Sequence, residues 1–497
     1  MHETSSTTPT RAEAHHLALG RNVFLKNFAE GSRLFQMLFF VVIARRFGPG
    51  GLGDLTVLLM IGSVVGLVFG DLGINTTLIA RMNGAGAADR KQIASTGLFW
   101  KVALSAISFV LMVAAMRLAV HFGTWPEILA VAVISVGAIW LEFLSALTNG
   151  VNRLGAEARL RHAYRAIAYG GGAVLAFFAG LAGVLIFMAV ASVAVLLLAL
   201  LLIRTRVTPA VLLPAAGLVP GFLREAAPVW LTQVAQLTYL KLDVVVLGVL
   251  HVAAQEIGWY AAAWKIVDVL TTVPALLAAA VLPLISGAIP DTDASAIAPG
   301  YLKVMYVLPF FFALPLAAGA EWITRAFYGN AFSGTPALLA VLVWGLVPVS
   351  IHSFLATVSV AVRRQREAAK LGAATAVLGL GAAVVFVPRL GYQSMAVISL
   401  VANSLFAIAM VHRFRTVTRS THWVLGLKSL VSALAIYGLS LAVVGQVPGW
   451  LLSIGVIFAY GFALLLLRVI TVRDFNRGWR LAGSVLWNRA AERAGVA

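Results

Sequence analysis

Three basic residues lie inside long apolar runs of the sequence, where a charge is rare. They are Arg33, Lys241 and Lys265. An ionisable group at membrane depth is costly, so it usually faces the interior of a helix bundle or a water-filled cavity. Cations in such a low-dielectric cavity attract anionic groups such as phosphates. The sequence therefore predicts a cationic binding cavity, and Arg45, at the end of the first apolar run, is predicted to be a further member of it.

Asp243 follows Lys241 by two residues in one apolar run. Side chains two residues apart on a helix point to nearly opposite sides and do not pair with each other. At least one of the two must therefore find a partner on another helix or face water. Asp243 is predicted to line the same cavity.

Three acidic residues are candidates for ion coupling. Glu142 is isolated in an apolar run and is either a protonatable coupling site or a carboxylate that is hydrogen-bonded near the inner surface. Asp268 follows Lys265 by three residues, and Glu30 precedes Arg33 by three. This spacing equally allows both acids to form intrahelical ion pairs.

The elements that must position these residues are membrane-spanning helices. The 497-residue chain is 61% hydrophobic and only 11% charged, whereas soluble domains contain about 25% charged residues. Runs of about 20 apolar residues predict fourteen spans in an all-α, polytopic bundle. The predicted spans cover residues 24–44, 54–80, 97–118, 127–148, 166–182, 184–203, 226–248, 257–281, 303–320, 336–361, 371–388, 393–411, 427–445 and 450–468.

The net charge of +18 fits a membrane protein better than a nucleic-acid-binding one, because the basic residues lie in short loops. With both termini in the cytoplasm, 29 of the 37 Lys and Arg residues, Lys101 among them, are assigned to the cytoplasmic side. The five assigned to the outside are Arg45, Arg46, Arg117, Arg325 and Arg389. Loops of this charge should also bind anionic membrane lipids.

A weak internal repeat divides the chain. Phe24-Leu25-Lys26 resembles Phe222-Leu223-Arg224 at an offset of 198, and Gly53 matches Gly258 at an offset of 205. Two six-helix bundles around a central cavity would give this pattern, although chance similarity between apolar segments remains an alternative. The predicted divisions are a polar cytoplasmic arm (1–20), two bundles (21–203 and 226–412) joined by a cytoplasmic linker (204–225), two additional spans (413–470) and a basic tail (471–497).

Several function classes lack their motifs. The sequence has no phosphate-binding G-x-x-x-x-G-K-[ST] loop and no H-E-x-x-H zinc motif. It has no cysteine, which excludes disulfides and thiolate metal sites. The polar start of the chain lacks the apolar segment of a signal peptide. We therefore expect no catalytic residue, cofactor or metal, and a transporter instead of an enzyme.

Two pairs of spans carry motifs that resemble those of Wzx-type polysaccharide flippases of the multidrug/oligosaccharidyl-lipid/polysaccharide (MOP) exporter superfamily. The first motif is Ile43-Ala44-Arg45-Arg46-Phe47-Gly48-Pro49-Gly50-Gly51-Leu52-Gly53, followed by Asp71-Leu72-Gly73. The second comprises Leu242-Asp243, Gly248, Gly258-Trp259-Tyr260 and Ala263-Trp264-Lys265. The resemblance implies that the chain flips an undecaprenyl-pyrophosphate-linked oligosaccharide across the bacterial cytoplasmic membrane, for lipopolysaccharide or exopolysaccharide synthesis.

Other functions remain open at this stage. A drug or cation antiporter and a lipid II flippase belong to the same superfamily, although an antiporter would favour an acidic cavity. A membrane-embedded polysaccharide polymerase fits less well, because the predicted outer loops are short. Polymerase or assembly proteins are possible partners, and a scaffold role in their complex is a further alternative.

Overall fold

The computed structural model describes most of the chain between residues 33 and 469. The described ranges are 33–83, 85–119, 123–151, 154–206, 221–227, 229–230, 233–234, 242–285, 294–415 and 423–469. Within them the regular structure is helical, apart from an isolated bridge between Val444 and Val447. The predicted all-α class is confirmed.

The helices follow the predicted apolar runs closely. In the first half they are α1 (Arg33–Gly70), α2 (Ile74–Met82), α3 (Ala87–Ala119), α4 (Trp125–Gly150), α5 (Leu154–Arg165), α6 (Gly171–Leu175) and α7 (Leu181–Arg206), with a π-helical turn (Ala166–Gly170) joining α5 to α6. In the second half they are α8 (Leu242–Val249), α9 (Ala254–Ile285), α10 (Ala294–Ala318), α11 (Ala320–Tyr328), α12 (Thr335–Leu342), α13 (Leu346–Ala361), α14 (Gln365–Leu390), α15 (Ser394–Arg413), α16 (Trp423–Leu441) and α17 (Gly449–Leu466).

Eleven helices in the described ranges are long and apolar enough to cross a membrane, as expected for a multi-pass membrane protein. One of the eleven includes parts of two predicted spans, 24–44 and 54–80. Helix α1 has 38 residues, so its length of about 57 Å greatly exceeds one crossing. Gly48, with φ 71° and ψ −174°, breaks it between the two predicted spans. The total of fourteen spans stays a prediction.

Small residues let the helices of the first half pack closely. A Cβ on Gly66 or Gly70 would lie 2.8 Å from Ile139 of α4, and one on Gly62 would overlap the Ser135 hydroxyl. The stripe of glycines at intervals of four is typical of close helix packing in membranes. These glycines therefore allow α1 to pack closely against α4.

Helix connections alternate between two ends of the molecule. We call the basic end the one that carries the 83–87 and 362–364 connections and the arginine cluster around Glu367, and the other the opposite end. The helices of each half pack mainly on one another, while α1 packs extensively on α9. A shared core of buried residues from both helices joins the halves. The exact domain limits remain a prediction.

Candidate functional site

Lys265, one of the predicted cavity residues, lies between the two halves of the molecule. Its side chain is only 8% exposed on α9. The Nζ atom lies 3.9 Å from the ring centroid of Phe40 on α1 and 5.5 Å from that of Trp264. Both distances fall within the range of cation–π attraction. A buried cation thus sits at the junction of α1 and α9, stabilised by an aromatic ring from the other half.

Two glycines bring α1 and α9 into backbone contact at the opposite end. A Cβ on Gly53 would overlap the Ala254 carbonyl oxygen, and a Cβ on Gly258 would overlap that of Pro49. The two glycines are the counterparts predicted from the repeat, and Pro49 and Ala254 are related by the same offset. Each half therefore supplies a carbonyl and a glycine, and the two contacts are reciprocal. Only glycine allows so close an approach of the two backbones.

Arg45 also joins the halves at the opposite end. Its Nε donates a hydrogen bond to the carbonyl oxygen of Phe327 at 2.7 Å, and Nη2 donates to the carbonyl oxygen of Ala326. Both acceptors belong to the last turn of α11, whose final carbonyls lack partners within the helix. The guanidinium is exposed. Its observed contacts are thus with backbone at the closed opposite end, and its cavity role stays a prediction.

The second predicted span is broken at Asp71-Leu72-Gly73. Leu72 (φ 44°) and Gly73 (φ 76°) adopt left-handed backbone conformations between α1 and α2. Lys101 of α3 donates a hydrogen bond to the Gly70 carbonyl at 3.0 Å, and its Nζ lies 3.4 Å from Asp71 Oδ1. The Lys101 side chain is fully buried and that of Asp71 is 10% exposed. Lys101, counted among the bases of the cytoplasmic side, is therefore buried inside the bundle, where it caps a broken helix.

The same break contacts the start of the second half at the basic end. Trp230 Nε1 donates to the Val68 carbonyl at 2.8 Å. A Cβ on Gly73 would lie 2.5 Å from the Ala226 carbonyl oxygen. Arg81 and Glu225 form an ion pair at 2.8 Å, and the hydrogen bond from Arg81 lowers the pKa of the Glu225 carboxyl. Sequence reasoning missed these contacts because their partners lie about 150 residues apart.

Asp243 lies within the second half and has a partner there. Its Oδ2 accepts a hydrogen bond from the Tyr260 hydroxyl at 2.6 Å. It also lines a small cavity of about 40 Å³ between α8, α14 and α15, together with Ser399 and Asn403. The Oδ1 atom of Asn403 in turn lies 3.1 Å from the Nε2 atom of His352 on α13. The predicted need of Asp243 for a partner on another helix is met by Tyr260 of α9.

We expect Tyr260→Phe to lower the stability of the folded protein by about 2 kcal/mol, since it removes a hydrogen-bond donor from a buried carboxyl group. Thermal unfolding in detergent, followed by loss of the monodisperse chromatographic peak, measures the change. Asp243→Asn in combination with Tyr260→Phe should cost less than the sum of the single changes, because the two groups interact. If the stability losses of the two single changes simply add in the double variant, Tyr260 and Asp243 do not interact energetically.

The described candidates for ion coupling have different environments. Glu142 forms a bidentate ion pair with Arg161 of α5, at 2.6 and 2.8 Å, and its side chain is 54% exposed. Asp268 is half-buried on α9, one turn beyond Lys265. Neither arrangement tests the predicted coupling role. Arg33 is the first residue of α1, but its side chain lies outside the described part of the structure. Glu30 and Lys241 lie wholly outside it.

Comparison with solved structures shows which fold this is. The lipid II flippase MurJ in an inward closed conformation matches with a TM-score of 0.69 and 14% identity, covering 88% of this chain and 98% of the other. An inward-facing MATE multidrug transporter of the MOP superfamily matches at 0.62 and 16% identity, covering 78% and 96%. A MOP transporter from Pyrococcus furiosus matches at 0.56 and 15%, covering 81% and 95%. The shared fold is therefore that of MOP exporters.

Sequence comparison places the chain in a family. No curated protein matches it significantly in sequence. The model of the family described as "Polysaccharide biosynthesis protein" matches residues 19–288. This match includes both motif-bearing pairs of spans and more than half of the chain. The protein belongs to the polysaccharide biosynthesis protein family, and its resemblance to Wzx-type flippases of the MOP superfamily is confirmed.

Proposed function

We propose that this protein flips an undecaprenyl-pyrophosphate-linked oligosaccharide from the inner to the outer leaflet of the bacterial cytoplasmic membrane. Its pyrophosphate would bind a cavity formed by Arg33, Lys241 and Lys265, with Asp243 and Arg45 nearby. The glycan would cross in water while the isoprenoid tail stays in lipid. Both termini of the chain would lie in the cytoplasm.

The observation that carries this proposal is the buried ammonium of Lys265 at the junction of the two halves. A cation held at that place by an aromatic ring favours an anionic cargo over a cationic one. The family contributes the second support, because its members are described by their part in polysaccharide biosynthesis. A lipid-linked sugar phosphate satisfies both observations.

Alternating access would supply the mechanism. The halves meet at the opposite end through the reciprocal glycine contacts and Arg45, and at the basic end through the broken second span. Opening the two ends in turn would expose the junction first to one side of the membrane and then to the other. Glu142, Asp268 and Glu30 remain candidates for coupling this motion to an ion.

Lipid II is the second candidate substrate. The fold matches that of a lipid II flippase over nearly the whole of that chain, and lipid II likewise joins a pyrophosphate to an isoprenoid tail. A drug antiporter is favoured only by the fold that MATE transporters share. The cationic junction argues against it.

A deletion strain provides the direct test. We expect lipid-linked oligosaccharides to accumulate in it and to remain inaccessible to an impermeant probe added to sealed spheroplasts. The wild-type gene should restore access, and Lys241→Ala should not, because the mutant loses one cation of the proposed cavity.

Arg325→Ala is the matched control. Arg325 is an exposed cation paired with Glu321 on α11, so its removal should restore access as fully as the wild type does. Rescue of a strain depleted of its lipid II flippase would identify lipid II as the cargo instead. Normal outer exposure with altered drug sensitivity would contradict the flippase proposal.

A further inference from the structure

An apolar groove runs along the outside of the second half, between α14 and α15. Its volume is about 550 Å³, which is within the usual range of ligand pockets. Gly379, Ala382 and Ala402 form its floor, and exposed side chains such as Leu378 and Val401 form its walls. Helix α14 packs mainly on α8, α13 and α15. The groove therefore opens to the membrane and not to the interior of the bundle.

The groove occupies the part of both helices that is nearest the opposite end. On α14 it extends from Thr375 to Leu390, and on α15 from Gln393 to Leu405. At helical rise the α14 portion is about 22 Å long. A single leaflet, with its headgroup region, is about 20–22 Å thick. The groove thus has the length of one leaflet, and its apolar lining suits the acyl chain of a lipid.

Arg389 lies at the end of the groove where the headgroup of such a lipid would lie. It follows Phe386 by three residues and Ala382 by seven, a spacing that puts all three on one face of α14. Its Nη1 donates a hydrogen bond to the Val385 carbonyl oxygen at 2.7 Å, which holds the exposed guanidinium beside the last turns of the helix. Arg389 forms no ion pair with a residue that the structure describes. Its other N–H donors are therefore available to a phosphate.

The mouth of the groove is polar on the α15 side as well. Gln393 is exposed there, and the Ser394 hydroxyl donates to the Gly391 carbonyl at 2.7 Å. A ligand that fits both parts has an apolar chain and an anionic head. A phospholipid of net negative charge has both, and its headgroup carries no cation that would offset the attraction to Arg389.

The groove also shares a wall with the small cavity beside Asp243. The residues that line both spaces are Thr375, Gly379, Ile398 and Ala402. A Cβ on Gly379 would lie 3.2 Å from the Cβ of Ala402, so small side chains separate the membrane from the Asp243 cavity at this point. An acyl chain in the groove covers this thin wall and supplies the packing contacts that larger side chains would otherwise make.

We propose that the groove between α14 and α15 binds one anionic phospholipid from the leaflet at the opposite end. One acyl chain lies on the floor formed by Gly379, Ala382 and Ala402, and the phosphate accepts hydrogen bonds from Arg389. This site lies at the other end of the molecule from the basic loops, whose charge attracts anionic lipids without a groove. It is also separate from the proposed cargo cavity, so it does not depend on the identity of the cargo.

A reporter on the groove wall tests the proposal. Because the chain has no cysteine, Leu378→Cys takes a single fluorophore at an exposed position of the groove. A phospholipid with a nitroxide on its acyl chain quenches this fluorophore when the chain occupies the groove. Delipidated protein in detergent is titrated with phosphatidylglycerol or with phosphatidylcholine of the same chains. We expect saturable quenching by both, at about fivefold lower concentration for phosphatidylglycerol, since one cation near the surface contributes about that factor.

Arg389→Gln removes the cation and should abolish this preference, so that half quenching needs about fivefold more phosphatidylglycerol. Arg325→Gln is the matched control, because Arg325 is an exposed arginine at the same end, on α11. It should leave both titrations unchanged. An equal preference in the wild type and in Arg389→Gln overturns the assignment of the headgroup.

Ala382→Phe fills the groove and should abolish saturable quenching by either lipid. Ala374→Phe adds the same ring at an exposed position of α14 that does not line the groove, and it should leave quenching unchanged. If Ala382→Phe gives no monodisperse chromatographic peak, Ala382→Leu makes the same test. Saturable quenching that survives these Ala382 substitutions shows that the chain binds elsewhere and overturns the proposal.

Two unlabelled competitors identify the occupant. Glycerol phosphate has the headgroup charge without acyl chains and should not displace the labelled lipid. Displacement by it would reduce the site to one for small anions. An isoprenoid phosphate should displace the labelled lipid no better than unlabelled phosphatidylglycerol does. Stronger displacement would reassign the groove to the tail of the cargo and overturn the phospholipid assignment.

Discussion

Replacing Gly258 with valine is expected to lower transport about tenfold or more while the protein still inserts. The added side chain would overlap the Pro49 carbonyl, and backbone atoms cannot move aside as a flexible side chain can. Overpacking of this kind costs about 1–3 kcal/mol. The halves relieve it by separating at the opposite end, so the protein favours the state that is open there.

An engineered thiol at Ile257 reports that opening. Ile257 is fully buried beside the glycine contact, so Ile257→Cys should label slowly in the otherwise unchanged protein and quickly with Gly258→Val. Gly381→Val is the matched control, because Gly381 lies within α14 with open space around its Cβ position. Equal labelling in both valine variants would show that the reciprocal contact does not close this end.

Lys265→Met is the second change expected to have a large effect. It keeps much of the side chain's length and removes the ammonium that lies against Phe40. If the ammonium makes a charge-assisted contact with the pyrophosphate, its loss costs about 1.5–3 kcal/mol. We therefore expect the rate of substrate exposure in spheroplasts to fall by about tenfold or more.

Lys265→Arg should retain a measurable part of the activity, since it keeps the charge and a cation–π partner. Lys428→Met makes the same substitution at an exposed site on α16 and should leave the rate unchanged. Full activity of Lys265→Met would exclude Lys265 from the transport path.

The spans were accessible to sequence reasoning because each is a long apolar run, and length alone identifies such runs. The break at Gly48 falls between two of the predicted spans, and helices end near most of the predicted boundaries. The repeat correctly related Gly53 to Gly258. The contact that each glycine makes with the opposite half could not be derived from the sequence. Periodicity describes the faces of one helix and does not identify the helix that packs against it.

The paired charges were harder to predict for the same reason. Spacing of three or four residues reveals pairs along one helix, but Lys101 and Asp71 are 30 residues apart, and Arg161 and Glu142 are 19 apart. Counting bases by side of the membrane did not identify Lys101 as a buried residue, although it lies in an apolar run. A lysine within such a run is itself the signal that should have suggested a buried partner.

The reciprocal glycine contacts make the junction of the halves self-complementary, like the isologous interface of a symmetric dimer. In a true homodimer every residue at such an interface appears twice. Here a single chain carries both copies, so each copy is free to diverge. Asp54 follows Gly53, whereas Trp259 follows Gly258 and donates a hydrogen bond to the Ala331 carbonyl. One symmetric framework thus presents an acid on one side and an indole on the other.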